Sequence, residues 1–466
     1  MLASPGANML SLGLDIGTTT IAALAFDVAA MRIVAHASAL NDATCTPADK
    51  RAEGWAELDL NRTFDVVLHA LERVVADLGP HAGRVHTIGV TGQMHGVAFL
   101  GRDLRPVRPA ITWQDHRAQD MIPEFIVRAG GEGAFANMGC LPAAGYLGPT
   151  LYWLRRRDAL PDAYACCIPD AIAAMLVAQP PVSDPTMAAS TGLFDILHQR
   201  WDEALLNALE MPAHLLPPVV ESGARVGHLQ TGLAQRLGLP DHVVVGAALG
   251  DHQASLIGSR CDVPGQLHIN IGTSGQVSLV VNHFAPAMAE HGIETRPFPG
   301  RRFILTGAAL CGGDALALLR RFFADALVIF GAHVPDGDTM FAAMLTAAAG
   351  IPPGADGLRL WPTFDGARHR PGSSAAFTGL RRANFTPAHV IHATIEGIAD
   401  ELGAFYDAMR EAGFAGQSLA GAGNALRRNM LLRRAVERRF GMPLHMPPWE
   451  AEAAVGAAIL AAQLNP

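Results

Sequence analysis

Two short glycine–threonine turns, about 255 residues apart, constrain this chain more than any other feature. Residues 12–15 read as a buried strand, Gly17-Thr18-Thr19 as a tight turn, and 20–26 and 33–40 as two further strands. The pattern returns with a strand over 266–271, the turn Gly272-Thr273-Ser274-Gly275 and a strand over 276–281. Strand, turn, returning strand is a hairpin-led opening, unlike the strand-then-helix start of a dinucleotide fold. A chain of 466 residues exceeds one ordinary core, so the repeat predicts two related domains facing each other, 1–255 and 256–466.

Around this frame, apolar spacing predicts a helix over 61–78 and a strand over 86–90. Thr386 as N-cap, Pro387 in the first turn and Ile391, Ile395, Ile398, Leu402 and Phe405 on one face mark a second helix, with Gly413 as its stop. Further helices are expected over 315–323, 427–440 and 452–464.

The net charge of −8 argues against nucleic acid or an anionic membrane as partner, yet leaves room for a nucleotide held by backbone N–H groups. The six cysteines include no CxxC pair, which points to reduced thiols rather than disulfides or zinc. The first ten residues lack a basic and apolar leader, and no run of about 20 apolar residues occurs, so a cytoplasmic protein without a membrane span is expected.

Five motifs carry chemistry. In Asp15-Ile16-Gly17-Thr18-Thr19, glycine lets successive N–H groups converge on a phosphate, and Asp15 is an oxygen ligand for Mg²⁺; an ordinary hairpin turn reads the same way. Gly272-Thr273-Ser274-Gly275 repeats that physics, and the pair suggests a nucleotide cleft. In Gly250-Asp251-His252, Asp251 follows a strand and precedes a helix, as either a general base or a helix cap. Gln93-Met94-His95, with Trp113 and Asp115, offers hydrogen bonds and an aromatic wall to a polyhydroxyl ligand, or is plain core. Gly421-Ala422-Gly423-Asn424 with Asn429, and Gly312-Gly313, are glycine-rich turns that suit a nucleoside or a simple strand-to-helix loop.

In this order the segments resemble the FGGY carbohydrate kinase family, from about residue 12 to 464. Gln93-Met94-His95 is similar to the sugar-contact segment of ketose kinases, xylulokinases among them. The segments 111–115, 250–255 and 423–433 resemble sedoheptulokinases most. The resemblance implies an α/β protein of two actin-like (ribonuclease H-like) domains, each a mixed β-sheet flanked by helices, with an interdomain active-site cleft. It implies ATP and Mg²⁺, with Asp15 at the metal and Asp251 as base. Gly17, Thr18, Thr19, Gly272, Thr273 and Ser274 would grip phosphates, and Gly312, Gly313, Gly421, Gly423, Asn424 and Asn429 the rest of the nucleotide. Gln93, Met94, His95, Trp113, Asp115 and His252 would hold the sugar. The implied reaction takes sedoheptulose to sedoheptulose 7-phosphate; xylulokinase and ribulokinase are the alternatives. An actin-like, nucleotide-driven binding protein is the alternative of another class. A homodimer is left open. Asp184 with Ala189-Ser190-Thr191-Gly192 fits a structural stretch of the family, and Ala422 stands where many members have glycine.

Overall fold

The computed structural model describes residues 9–367 and 372–464. The elements that position the site are β1 (Leu10–Ile16), β2 (Thr20–Asp27), β3 (Arg32–Leu40), α1 (Leu60–Leu78), β4 (Val85–Gly92), β5 (Arg225–His228), β6 (Val244–Gly246), β7 (Leu249–Gly250) and α2 (Asp251–Gly258). They continue with β8 (Gln266–Ile271), β9 (Gly275–Val281), β10 (Ile293–Phe298), β11 (Arg302–Ala309), α3 (Asp314–Ile329), α4 (Pro387–Glu411), β12 (Ser418–Ala422), α5 (Met430–Phe440), β13 (Leu444–His445) and α6 (Glu452–Ala461).

The chain packs into two compact units. One comprises Met1–Arg260, Arg296–Phe303 and Ala451–Pro466; the other comprises Cys261–Thr295 and Ile304–Glu450. The single cut expected at residue 255 therefore differs from the observed division, because α6 returns to the first unit. Its small residues explain the return. A Cβ on Gly13 of β1 would lie 1.9 Å from Ala454 O, and one on Gly456 would lie 1.8 Å from Ala254 O. Glycine on sheet and helix lets backbones pack where a side chain would separate them.

Each unit is built on a mixed sheet flanked by helices, the ribonuclease H-like arrangement. The first sheet has the order β5-β6-β4-β1-β2-β3, with β7 also on β4. β1 and β2 form an antiparallel hairpin, while β4 runs parallel to β1 on its other side. β2 reads as a nearly continuous apolar run, and β4 is buried at all but one position, because both lie inside the sheet with both faces covered. Asp59 starts α1 by accepting the N–H groups of Asn61 and Arg62, and the helix buries Val67, Leu71, Val74 and Leu78.

The second sheet has the order β10-β11-β9-β8-β12-β13. Again a hairpin, β8–β9, has a parallel neighbour, β12, on its other side. Thr386 caps α4 through the His389 N–H, with Pro387 at the first position, as its sequence predicts. The basic helix expected over 427–440 is two helices, because Asn429 leaves helical geometry at φ −123° and caps α5 through the Leu432 N–H. No helix among the described residues is long and apolar enough to cross a membrane.

Candidate active site

In the first unit, three parallel strands end side by side. Ile16 pairs with Gly92, and Gly92 with Gly250. Asp15, Gln93 and Asp251 therefore share the carboxyl edge of one sheet, where α/β folds place ligands because the loops leaving that edge diverge. Strand register thus brings together residues from three separate motifs.

The first turn is closed by the Gly17 N–H donating to Thr20 O at 3.1 Å. Asn41 braces it, giving Nδ2–H to Gly17 O at 3.0 Å and its N–H to Thr19 O at 2.8 Å. Among the described residues, neither Thr18 nor Thr19 gives its N–H to another backbone group. The Thr18 side chain joins the turn to the polyhydroxyl-type wall. Trp113 Nε1–H donates to Thr18 Oγ1 at 3.0 Å, and that hydroxyl donates to Gln93 Oε1 at 3.3 Å. The Trp113 side chain is 48% exposed, so an aromatic face is open to a ligand. Gln93 is buried and its Nε2 has no partner, leaving an unsatisfied donor beside this chain of bonds.

His95 sits in the left-handed region at φ +75°, a costly place for a residue with a Cβ. Ser190 holds it there: the His95 N–H donates to Ser190 Oγ at 3.0 Å, and Nδ1–H to Ser190 O at 2.8 Å. The ring stacks on Tyr146, with centroids 4.2 Å apart. Backbone strain tied down by two hydrogen bonds and a stack is typical of a ligand-facing residue.

Asp251 begins α2 and accepts the His252 N–H on Oδ1 at 2.7 Å. Burial pushes its carboxyl up to about 6, against the pull of that N–H and of the Arg296 charge. Asp15 is pushed up to about 7 by burial and then by the charge of Asp251. A buried carboxyl whose proton affinity is raised by a second carboxylate is a seat that a divalent cation would relieve; Mg²⁺ with its oxygen preference fits Asp15 beside Asp251. Gly250 is held from behind. Its N–H donates to Thr186 Oγ1 at 2.8 Å, and Thr186 donates in turn to Asp184 Oδ1 at 2.7 Å. Asp184 also takes the Met187 N–H and the Ser222 hydroxyl, so this buried carboxylate anchors the loop just before Asp251.

Asp115 differs from its sequence reading as a sugar contact. It is fully buried, and both carboxylate oxygens are taken: Oδ1 by Arg117 N and Nε, Oδ2 by Arg117 Nη2 and Ala56 N. Arg117 also reaches Glu57 at 2.8 Å and lies over the Trp55 ring. Asp115 thus fixes the loop that carries Trp113.

In the second unit, the turn after β8 and the end of β12 share one edge, since Asn270 pairs with Ala422. Thr273 and Ser274, like their counterparts, give their N–H groups to no backbone carbonyl among the described residues. The Gly312 and Gly313 N–H groups are consumed within the chain, donating to Thr273 O at 2.8 Å and Gly272 O at 2.9 Å. Those glycines therefore bind the neighbouring loop to the turn; a Cβ on either would lie 2.5 Å from its backbone. Gly423 has φ +91°, and a Cβ there would lie 2.4 Å from Ile271 O. Gly421 is buried within β12, Asn424 is exposed at the start of a short helix, and Asn429 spends its Oδ1 on the α5 cap. Cys311, Asp314 and Asp365 offer ligand atoms within 4.8 Å of one another. Burial pushes the Cys311 thiol up to about 12, so that set offers two carboxylates and a protonated thiol.

Profiles of known families match the chain twice: the N-terminal domain of the FGGY family of carbohydrate kinases over residues 10–258, and its C-terminal domain over 267–464. This chain belongs to the FGGY family of carbohydrate kinases. Human sedoheptulokinase is 29% identical to this FGGY kinase over 483 residues, covering 97% of each chain. The glycerol kinase of Albidiferax ferrireducens is 27% identical over 470 residues, covering 97% of this chain and 90% of that one. The xylulose kinase from Rhodospirillum rubrum has the same fold, with a TM-score of 0.86 at 24% identity over 97% of this chain and 89% of that one. In this FGGY kinase the residues missed by sequence reasoning are Ser190, Tyr146 and Thr186. Only Ser190 carried a signal, lying in the stretch 189–192 read as structural.

Proposed function

We propose that this carbohydrate kinase transfers the γ-phosphate of ATP to the terminal hydroxyl of a ketose, with sedoheptulose and D-xylulose as the leading acceptors. The observation that carries the reading is the hydrogen-bonded chain Trp113–Thr18–Gln93, which ties the first phosphate-type turn to a sugar-type wall at the sheet edge where Asp251 stands. A nucleotide-driven clamp that phosphorylates nothing small has no use for such a wall.

In this mechanism Asp251 accepts the proton of the attacking hydroxyl. A carboxyl near 6 is ionised at neutral pH yet basic enough to share a proton in the transition state. Thr186 and Asp184 hold Gly250 and so aim the base. Trp113 covers a C–H face of the sugar, and Gln93 and His95 fix its hydroxyls. Bound Mg²⁺, held by Asp15, would neutralise phosphate charge as transfer proceeds. The Thr18-Thr19 turn and the Thr273-Ser274 turn each offer N–H groups suited to phosphate oxygens.

ADP release measured against sedoheptulose, D-xylulose, D-ribulose, glycerol and D-gluconate tests the reading. Turnover is expected with a ketose and to exceed that with glycerol. ATP hydrolysis indifferent to every acceptor would favour the clamp, and turnover on glycerol alone would remove the ketose.

A further inference from the structure

Gln253 lies in the first turn of α2, two residues after Asp251, and is fully buried. Its Nε2–H donates to Pro297 O at 3.0 Å. That bond orients the amide, because the reverse orientation would set oxygen against oxygen. Oε1 is then directed against Gly250, where an added Cβ would lie 2.5 Å from it and 2.9 Å from the Met94 thioether. Among the described residues this oxygen has no hydrogen-bond partner.

Gln253 borders a recess of about 10 Å³, room for one water-sized group such as a hydroxyl, shared with Met94, His95, Thr186, Ser190 and Arg296. The two hydroxyls there are committed. Ser190 gives its proton to Met187 O and accepts the His95 N–H. Thr186 gives its proton to Asp184 and accepts the Gly250 N–H. The methionines have no proton to donate, and Arg296, the cation lining the recess, does not donate to Oε1. A buried acceptor left in this state is costly unless something else satisfies it.

We infer that Gln253 Oε1 accepts a hydrogen bond from a hydroxyl of the acceptor sugar, making Gln253 a specificity residue carried by the same helical turn as the base. Gln93, which follows the strand residue paired with Gly250, has an Nε2 donor unpartnered among the described residues. A polyol, whose hydroxyls both donate and accept, satisfies an acceptor and a donor together; an apolar ligand satisfies neither. The inference rests on the ketose-kinase reading above.

Gln253→Leu and Gln253→Met test it through steady-state kinetics and thermal shift with the ketose alone. The ketose KM should rise about tenfold, as loss of one hydrogen bond predicts, while the ATP KM stays within about twofold. The ketose-induced rise in Tm should vanish at concentrations that saturate the wild type. Both variants also lose the Pro297 bond, so a lower Tm without sugar is expected and does not by itself separate the two KM values. An unchanged ketose KM overturns the inference and leaves the kinase reading standing. A wild type that phosphorylates no ketose removes both. Crystals of the wild type soaked with D-xylulose or sedoheptulose do not depend on variant folding. A sugar hydroxyl within hydrogen-bond reach of Oε1 is expected, and a water there, with the sugar elsewhere, overturns the inference.

Discussion

The two glycine–threonine turns look alike in sequence and differ in what their glycines are for. At Gly17 a Cβ would lie 2.6 Å from Thr20 O, the oxygen that closes the turn. At Gly272 it would meet nothing within 4 Å. The first glycine is therefore required by the hairpin itself. The second stands in open space, where an added Cβ meets no other described atom. The surroundings differ in the same sense. The first turn is joined through Thr18 to a sugar-type wall and lies on the edge that carries two carboxylates. The second is backed by the loop 312–314, which donates three N–H groups to its carbonyls. On the proposed function, the first unit would carry proton chemistry and acceptor binding, and the second a braced turn whose Thr273 and Ser274 N–H groups would meet phosphate.

The largest effect expected from this division is at Asp251. Asp251→Asn should lower kcat about 10²-fold or more while leaving the ketose KM within a few-fold. Near-normal turnover would take Asp251 out of the mechanism. Next, Gly272→Val should raise the ATP KM about tenfold and leave the Tm of the nucleotide-free protein unchanged, since the added atoms enter space only a ligand would need. Gly17→Val should reverse the pattern, destabilising the free protein by about 1–3 kcal/mol through backbone overlap, read as a lower Tm. If both valines act alike, the contrast between the turns is lost.

Smaller effects follow from the carboxyls. Turnover should fall about tenfold per pH unit below about 6, because Asp251 must be ionised to accept a proton. Asp15, pushed up to about 7 in the folded chain, favours its protonated form there. Its stabilising contribution is full below the ordinary carboxylate range, near 4, and is lost as the pH rises through about 7. Metal-free Asp15→Asn should therefore match the wild type in Tm at pH 4 and exceed it by a few degrees at pH 8. Equal Tm values at both pH values would mean that no buried charge is relieved.

Much of the frame was legible along the chain. The β1–β2 and β8–β9 hairpins, the Thr386 cap and the apolar face of α1 are written in signals a few residues long: a glycine at a turn, a hydroxyl before a helix, a period of 3.6. The break at Asn429 was missed because the basic residues on either side continue a helical pattern, and only the cap to Leu432 interrupts it.

The sequence by itself determined the two-unit α/β plan, the family and the candidate motifs, because local backbone preferences and apolar periodicity act within a turn or a strand. Tertiary structure alone decided which of those polar groups remain available. Asp115 is spent on Ala56 and Arg117, and the Gly312 and Gly313 N–H groups are spent on the second turn. Gln253 keeps an oxygen unspent. Hydrogen-bond capacity is settled by partners tens of residues away, as with Asp115 and Ala56, 59 positions apart, and no local pattern records who those partners will be.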